Sequence, residues 1–396
     1  MNTLKIFVLI FSSLFLILSL FLFGFLFSMK MTALSEGYIN SRLECLPLEP
    51  LIDDLEFDET IERNPELVNL IRNVVIDNEA ELKERTSEMI NSVYDYLNGK
   101  SEDLDMASVL KDTILDPDFS ISIIQQADLT LLVKELVFEM TKDTDIPYGL
   151  SLESHIDNIV LDLEPWLEEQ VTAGVPIIYD YILGFRQDTG IVIQLDPVTE
   201  MIRNSLRQDF LNSPPAEFTG LPRAELEQKF DEVFNEIAGN IWSAIVIDME
   251  LMESDIQSDV AKSITDAEDA LSESRKYIGI FNIVYNLLIA LIVLLIASIV
   301  LIYREVKIVS RVLAGIFLGY GAINLIIISI TRAIARDQIA KIDDIPASIQ
   351  TWIGQSVTDS LTPLFVLSIV LLIIGVALLV ASFVYKRSQP QTGTII

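Results

Sequence analysis

One cysteine and one histidine stand in a chain of 396 residues. Cys45 alone cannot close an intramolecular disulfide, and Cys45 with His155 cannot assemble a Cys/His zinc site within one chain. His155 sits beside a repeated motif whose other copy has Leu70 in its place, which points to a structural or surface role. No Gly-x-x-x-x-Gly-Lys-Ser/Thr, Gly-x-Gly-x-x-Gly or Gly-x-Ser-x-Gly occurs, so nucleotide cradles and a hydrolase nucleophile turn have no support. The EF-hand loop pattern and Asn-x-Ser/Thr sequons are also missing. With no disulfides and no sequons, the source leans prokaryotic.

Charge is the next absence. Four long apolar runs, Ile6 to Phe27, Ile278 to Tyr303, Val312 to Ile330 and Leu364 to Tyr385, contain no Asp, Glu, Lys or Arg. Each is near or above the roughly 20 residues a helix needs to cross a hydrocarbon core. In lipid the backbone must satisfy its own hydrogen bonds, so each run is expected to be helical. The first is too long for a signal-peptide core, and Ser28-Met29-Lys30-Met31 is a poor cleavage site, so residues 1–30 read as an uncleaved signal anchor.

Basic residues set the expected orientation. Lys5, then Arg304, Lys307 and Arg311, then Lys386 and Arg387 mark the cytoplasmic side. The reading is a multi-pass plasma-membrane protein with both termini cytoplasmic. Its spans are 1–30, 278–303, 312–330 and 364–385, with a cytoplasmic loop at 304–311 and a tail at 386–396. A large extracytoplasmic domain at 31–277 and an extracytoplasmic loop at 331–363 complete it. All but five of the 58 acidic residues fall in 31–277 against 17 Lys and Arg, a formal charge of −36. Such a field argues against nucleic acid and against anionic lipid headgroups as partners of that domain, and favours cations, basic partners or plain solubility.

Within 31–277 the chain repeats itself. Residues Ile71 to Gly99 match Ile156 to Gly184 at 11 of 29 ungapped positions, including Asp77/Asp162, Glu79/Glu164 and the Tyr-Asp-Tyr triplets Tyr94–Tyr96 and Tyr179–Tyr181. A later stretch keeps helical spacing. Leu129, Val133, Leu136, Val137 and Met140 correspond to Leu226, Phe230, Val233, Phe234 and Ile237. The expected fold class is an all-α membrane protein with four transmembrane helices and a mainly helical outer domain of two tandem similar units, about 65–142 and 151–239. Gly99 and Gly184 suit left-handed helix ends, and Asn64-Pro65 and Asp196-Pro197 suit helix starts. Gly174 and Pro176 are expected to break the second copy where the first runs on. Gly190 to Leu195 is the one plausible strand. From about 240 to 277 a stalk helix is expected to run unbroken into the second span. Its stripe of Ile256, Val260, Ile264, Ala267, Leu271 and Ser274 points to a coiled seam with a helix continuing from the first span to about Cys45.

Candidate chemistry is sparse. Asp77 and Asp162 read as N-caps with Glu79 and Glu164 in the following first turn. The alternative is a Ca²⁺ site if the matched carboxylates converge. Tyr94, Tyr96, Tyr179 and Tyr181 read as helix-end packing or a ligand or partner surface. In the spans Gly315 and Gly319 form a small-xxx-small pair, Ser368, Gly375 and Ser382 recur every seven residues, and Asn324 is expected to bond a neighbouring helix. The 331–363 loop reads as two short helices hinged at Pro346. With Trp352 it forms either a cover over the spans or a docking surface. The span count is that of tetraspanins and claudins, but their paired-cysteine pattern is missing.

These features point to a non-enzymatic binding, scaffold or sensor protein, set in the lipid bilayer and with a protein partner or a second copy of itself. A transporter or channel, or an accessory subunit of one, is the alternative. A membrane-tethered, carboxylate-based hydrolase is a further one.

Overall fold

The computed structural model describes residues 3–53, 65–126, 130–141, 148, 156–239, 243–247, 256–339, 341–342 and 345–384. Asn64, His155 and the tail 386–396 lie outside the described residues. In chain order the elements are α1 (Thr3–Met31), α2 (Glu36–Glu44), α3 (Glu49–Asp53), α4 (Pro65–Asp77), α5 (Glu79–Leu97), α6 (Met106–Asp112), α7 (Pro117–Gln126), α8 (Thr130–Thr141) and α9 (Ile156–Ile182). Then come β1 (Ile191–Gln194), α10 (Asp196–Asn212), α11 (Arg223–Ala238), β2 (Ala244–Ile247), α12 (Ile256–Tyr303), α13 (Val306–Ile339), α14 (Ala347–Ser360) and α15 (Thr362–Val384). The fold is helical, with one two-stranded antiparallel sheet among the described residues. Helices long and apolar enough to cross a membrane lie in Val8–Met31, Ile256–Tyr303, Val306–Ile339 and Ala347–Val384.

The chain forms two compact units. The first holds residues 1–55, 90–102 and 271–396, and the second holds 56–89 and 103–270. The tandem copies therefore do not correspond to two compact units.

In the first unit the apolar helices pack through Leu16 and Leu20 of α1, Leu295, Ile299 and Tyr303 of α12, and Leu313, Phe317 and Tyr320 of α13. Close approach is made by glycines other than the expected pair. A Cβ on Gly321 would lie 2.5 Å from Leu372 Cγ, and one on Gly375 would lie 2.9 Å from Leu318 Cγ. Gly24 faces Tyr320 in the same way. Around Gly315 and Gly319 such an atom would meet nothing within 4 Å among the described residues. The helical rotation decides this: on α13, Phe317, Tyr320, Gly321 and Asn324 are buried, while Gly315 is turned outward. On α15 the seven-residue set Ser368, Gly375 and Ser382 is buried. Asn324 donates to Ser368 Oγ at 3.1 Å across the α13–α15 interface and to Tyr320 Oη at 3.0 Å.

The expected loop at 304–311 shrinks to Arg304 and Glu305, because α13 starts at Val306. Arg304 takes a left-handed φ of 48°, which ends α12. At the other end α13 runs on to Ile339, so the first of the two expected loop helices continues the third span. The second, α14, begins after Pro346.

In the second unit, α8, α9, α10 and α11 close a core on Val133, Val137, Leu163, Ile202, Phe210 and Phe230. Matched positions are buried in both copies: Val133 and Val137 correspond to Phe230 and Phe234. The copies differ at Asn78 and its counterpart Leu163. Asn78 donates its amide to Val74 O at 2.8 Å while its carbonyl accepts from Leu82 N at 2.9 Å, and the first copy breaks there into α4 and α5. Leu163 is fully buried instead, and α9 runs through. The expectation of a break at Gly174 and Pro176 is thus reversed. Pro165 and Pro176 both sit inside α9, each removing one backbone bond, and Gly174 packs on Ile191 Cδ1 at 3.7 Å from its would-be Cβ. Burial of Ile159, Val160, Leu163 and Tyr181 holds the helix against that cost.

Gly99 and Gly184 do end their helices at φ of 75° and 81°. Each donates to the carbonyl three residues back, Gly99 to Tyr96 and Gly184 to Tyr181, both at 3.0 Å.

The unbroken helix from about 240 does not form. Residues 244–247 are strand β2, paired with β1 in the register Ile191↔Ile247 to Gln194↔Ala244. Three of the four residues, Ile245, Val246 and Ile247, are β-branched, and the strand alternates outward at Val246 with inward at Ile245, as a half-buried strand does. The helix begins at Ile256. Its stripe at Ile256, Val260, Ile264, Ala267 and Leu271 is half-buried. The helix expected to continue from the first span to about Cys45 is broken, because α1 ends at Met31 and Ser35 caps a new helix, its Oγ accepting from Tyr38 N at 3.4 Å.

Candidate functional site

A polar layer of the first unit lies where α1 ends and α15 begins. It is built by α2, the last turns of α13, and α14. The break at Thr32–Ser35 releases α2 from the line of α1, and Pro346 starts α14. Four contacts then join the segment 28–42 to 352–360. Ser28 Oγ donates to Ser360 O at 2.8 Å and Tyr38 Oη to Ser356 O at 2.7 Å. Trp352 Nε1 donates to Arg42 O at 2.9 Å, and Arg42 pairs with Asp359 at 2.5 Å. Burial pushes the Tyr38 phenol above its ordinary pKa, with Arg42 pulling down and Asp359 pushing up.

Beside this layer is an open cleft of about 500 Å³, lined by Arg336, Gln350, Gln355, Thr358 and Asp359 among others. Arg332, one turn before Arg336, donates to Thr358 O at 3.2 Å and Thr362 Oγ1 at 3.3 Å. Gln350 holds the connector by donating to Ile342 O and Ile345 O at 2.8 Å each. Guanidinium and amide donors at a rim suit recognition of carboxylate, phosphate or peptide groups. The sequence signal for this layer was Trp352 and Pro346. Its pairing with α2 was not legible, because the partners lie more than 300 positions apart.

The tyrosines separate by unit. In the first, Tyr94 Oη donates to Ala33 O at 2.6 Å, and burial raises the Tyr94 pKa. Tyr96 lies under the Arg275 guanidinium at 4.5 Å. In the second, Tyr179 Oη bonds Ser120 Oγ at 2.7 Å, and Tyr181 is fully buried.

Asp77 ends α4 and Asp162 lies inside α9, so neither caps a following helix; Asn78 takes that place in the first copy. Glu79 pairs with Lys83 at 2.5 Å, and Glu164 is carried in mid-helix on α9. Among the described residues, no three acidic, His or Cys side chains gather to hold a metal. The matched Asp95 and Asp180 each take a lysine, Lys100 at 2.6 Å and Lys111 at 2.5 Å.

No protein-family profile matches the chain, and no curated protein or solved structure matches it either.

Proposed function

We propose that this chain is a membrane-anchored binding, scaffold or sensor protein that acts without catalysis of its own. Its acidic helical domain stands outside the cytoplasm, and both termini lie inside. One observation supports binding over transport: Asn324, Tyr320 and Ser368, buried among the apolar helices, bond one another. Asn324 is shared between Tyr320 and Ser368, and Leu16, Leu20, Ile299, Leu313 and Phe317 fill the space around them. No Asp, Glu, His, Lys or Arg lies within the four apolar runs, where transporters and proton relays usually place one. The α2–α14 layer and its cleft are the surface we assign to a protein partner, which meets guanidinium and amide donors there.

The test has two arms. Cross-linking in native membranes and purification in mild detergent yields a stoichiometric protein partner, and Trp352→Ala with Arg336→Glu reduces its yield. The full chain reconstituted in liposomes conducts no ions above empty vesicles. Selective flux through the reconstituted chain overturns the proposal. So does protease treatment of intact cells that leaves 31–277 uncut while permeabilised cells are cut there.

A further inference from the structure

The apolar half of α12 buries Leu288, Leu295, Ile299 and Tyr303, and the last three belong to one core cluster with residues of α1 and α13. Beside that contact is a groove of about 200 Å³ with only apolar side chains around it, contributed by all four helices. Leu20 and Phe23 come from α1, Ile292 and Val293 from α12, Phe317 from α13 and Leu371 from α15. It opens outward, since Val293 is 61% exposed. A groove without polar atoms does not hold water, and left empty it forfeits dispersion contacts along its walls.

A charge lies beyond the lining residue Phe23, on the far side of a ring that Phe23 touches. Phe23 stacks on Tyr285 with centroids 5.5 Å apart, and Lys30 Nζ sits 4.5 Å from the centre of that Tyr285 ring. Lys30 is seven residues beyond Phe23 on α1, about 10 Å along the axis. It is also the basic residue of the last turn of that helix. An apolar slot with a cation above its mouth matches an amphiphile with a hydrocarbon tail and an anionic head.

We infer that this groove binds one phospholipid, with an acyl chain along Phe23, Ile292 and Val293 and an anionic headgroup phosphate at Lys30. Charge and size choose this occupant. Lysine is a point-charge phosphate binder, and its long stem lets the ammonium reach headgroup level. A space of about 200 Å³ is too small to take in a helix about 10 Å across.

The full chain is purified in mild detergent and exchanged against dioleoyl phosphatidylglycerol or dioleoyl phosphatidylcholine. Retained lipid is then counted by native mass spectrometry. We expect one lipid per chain, with the anionic one favoured by about threefold, the scale of one exposed charge pair. Val293→Trp fills the groove from its exposed side and lowers retention of both lipids about tenfold. Ile289→Trp, at another exposed lining position, does the same, and circular dichroism confirms that both variants keep their helix content. Lys30→Gln keeps the phosphatidylcholine bound and removes the preference for phosphatidylglycerol. Unchanged retention in the two folded tryptophan variants overturns the inference. So does a preference that survives Lys30→Gln, or a mass shift showing a second chain in place of lipid.

Discussion

The packed apolar helices of the first unit and the core of the second solve the same problem with different residues. In the second unit the centre is Phe210, Phe230, Ile202 and Leu163, large side chains withdrawn from water. In the first, the tightest contacts are made by Gly24, Gly321 and Gly375, with Asn324 bonding between helices. Water pays for burial of large apolar groups once they leave it. Lipid tails are as apolar as leucine, so helices there gain by close approach and internal hydrogen bonds. The two units of one chain show both regimes.

The comparison can be broken at its strongest point first. Phe230→Ala empties the centre of the water-side core and should cost about 3–5 kcal/mol, read as a lower urea midpoint in a probe of the second unit. If the loss is under about 1 kcal/mol, the core is not where burial acts. Gly321→Val should cost about 1–3 kcal/mol by overpacking against Leu372 and the Ser368 carbonyl. It is read as a lower denaturation midpoint in mixed micelles. Gly315→Val is the control and should leave that midpoint in place, because its Cβ meets nothing. Equal effects at 315 and 321 would erase the distinction between the two glycine faces.

Asn324→Leu removes the bond to Ser368 and should cost about 0.6–1.7 kcal/mol in the same assay. Asp105→Ala should cost about 1 kcal/mol, since Asp105 caps α6 by accepting from Ser108 N at 3.1 Å. The Ser108 hydroxyl and amide hold the Asp105 carboxyl below its ordinary pKa. Its contribution is therefore present above about pH 4 and is lost as pH falls through the lowered folded value. Unfolding followed from pH 5 downward should show a shallower acid decline in the variant. The smallest effect is expected at Asp359→Asn, where the pair with Arg42 is partly exposed. A loss below about 1 kcal/mol that shrinks in high salt is expected.

Much of the helical content was legible because apolar spacing repeats at helical period over long stretches, and because Gly99 and Gly184 sit where a left-handed residue is needed. The errors share one cause. Gly174 and Pro176 are local signals to stop, yet α9 runs through them because Leu163, Val160 and Tyr181 are buried along it. Gly315 and Gly319 match a close-packing motif, yet a Cβ at either meets nothing within 4 Å among the described residues, while one at Gly321 or Gly375 would clash. The 244–247 segment has a helical flank downstream but finds a strand partner fifty residues upstream.

By itself the sequence determined that four stretches must be helical and apolar, that the intervening region is strongly acidic, and that its motifs come in pairs. Composition and periodicity suffice for those, since they depend on neighbours within a few residues. Only the tertiary structure decided which glycines touch a neighbouring helix, that Arg42 and Trp352 meet across more than 300 positions, and that the two copies fold unequally around Asn78 and Leu163. Those outcomes depend on which faces meet in space, and a linear pattern carries each face without naming its partner.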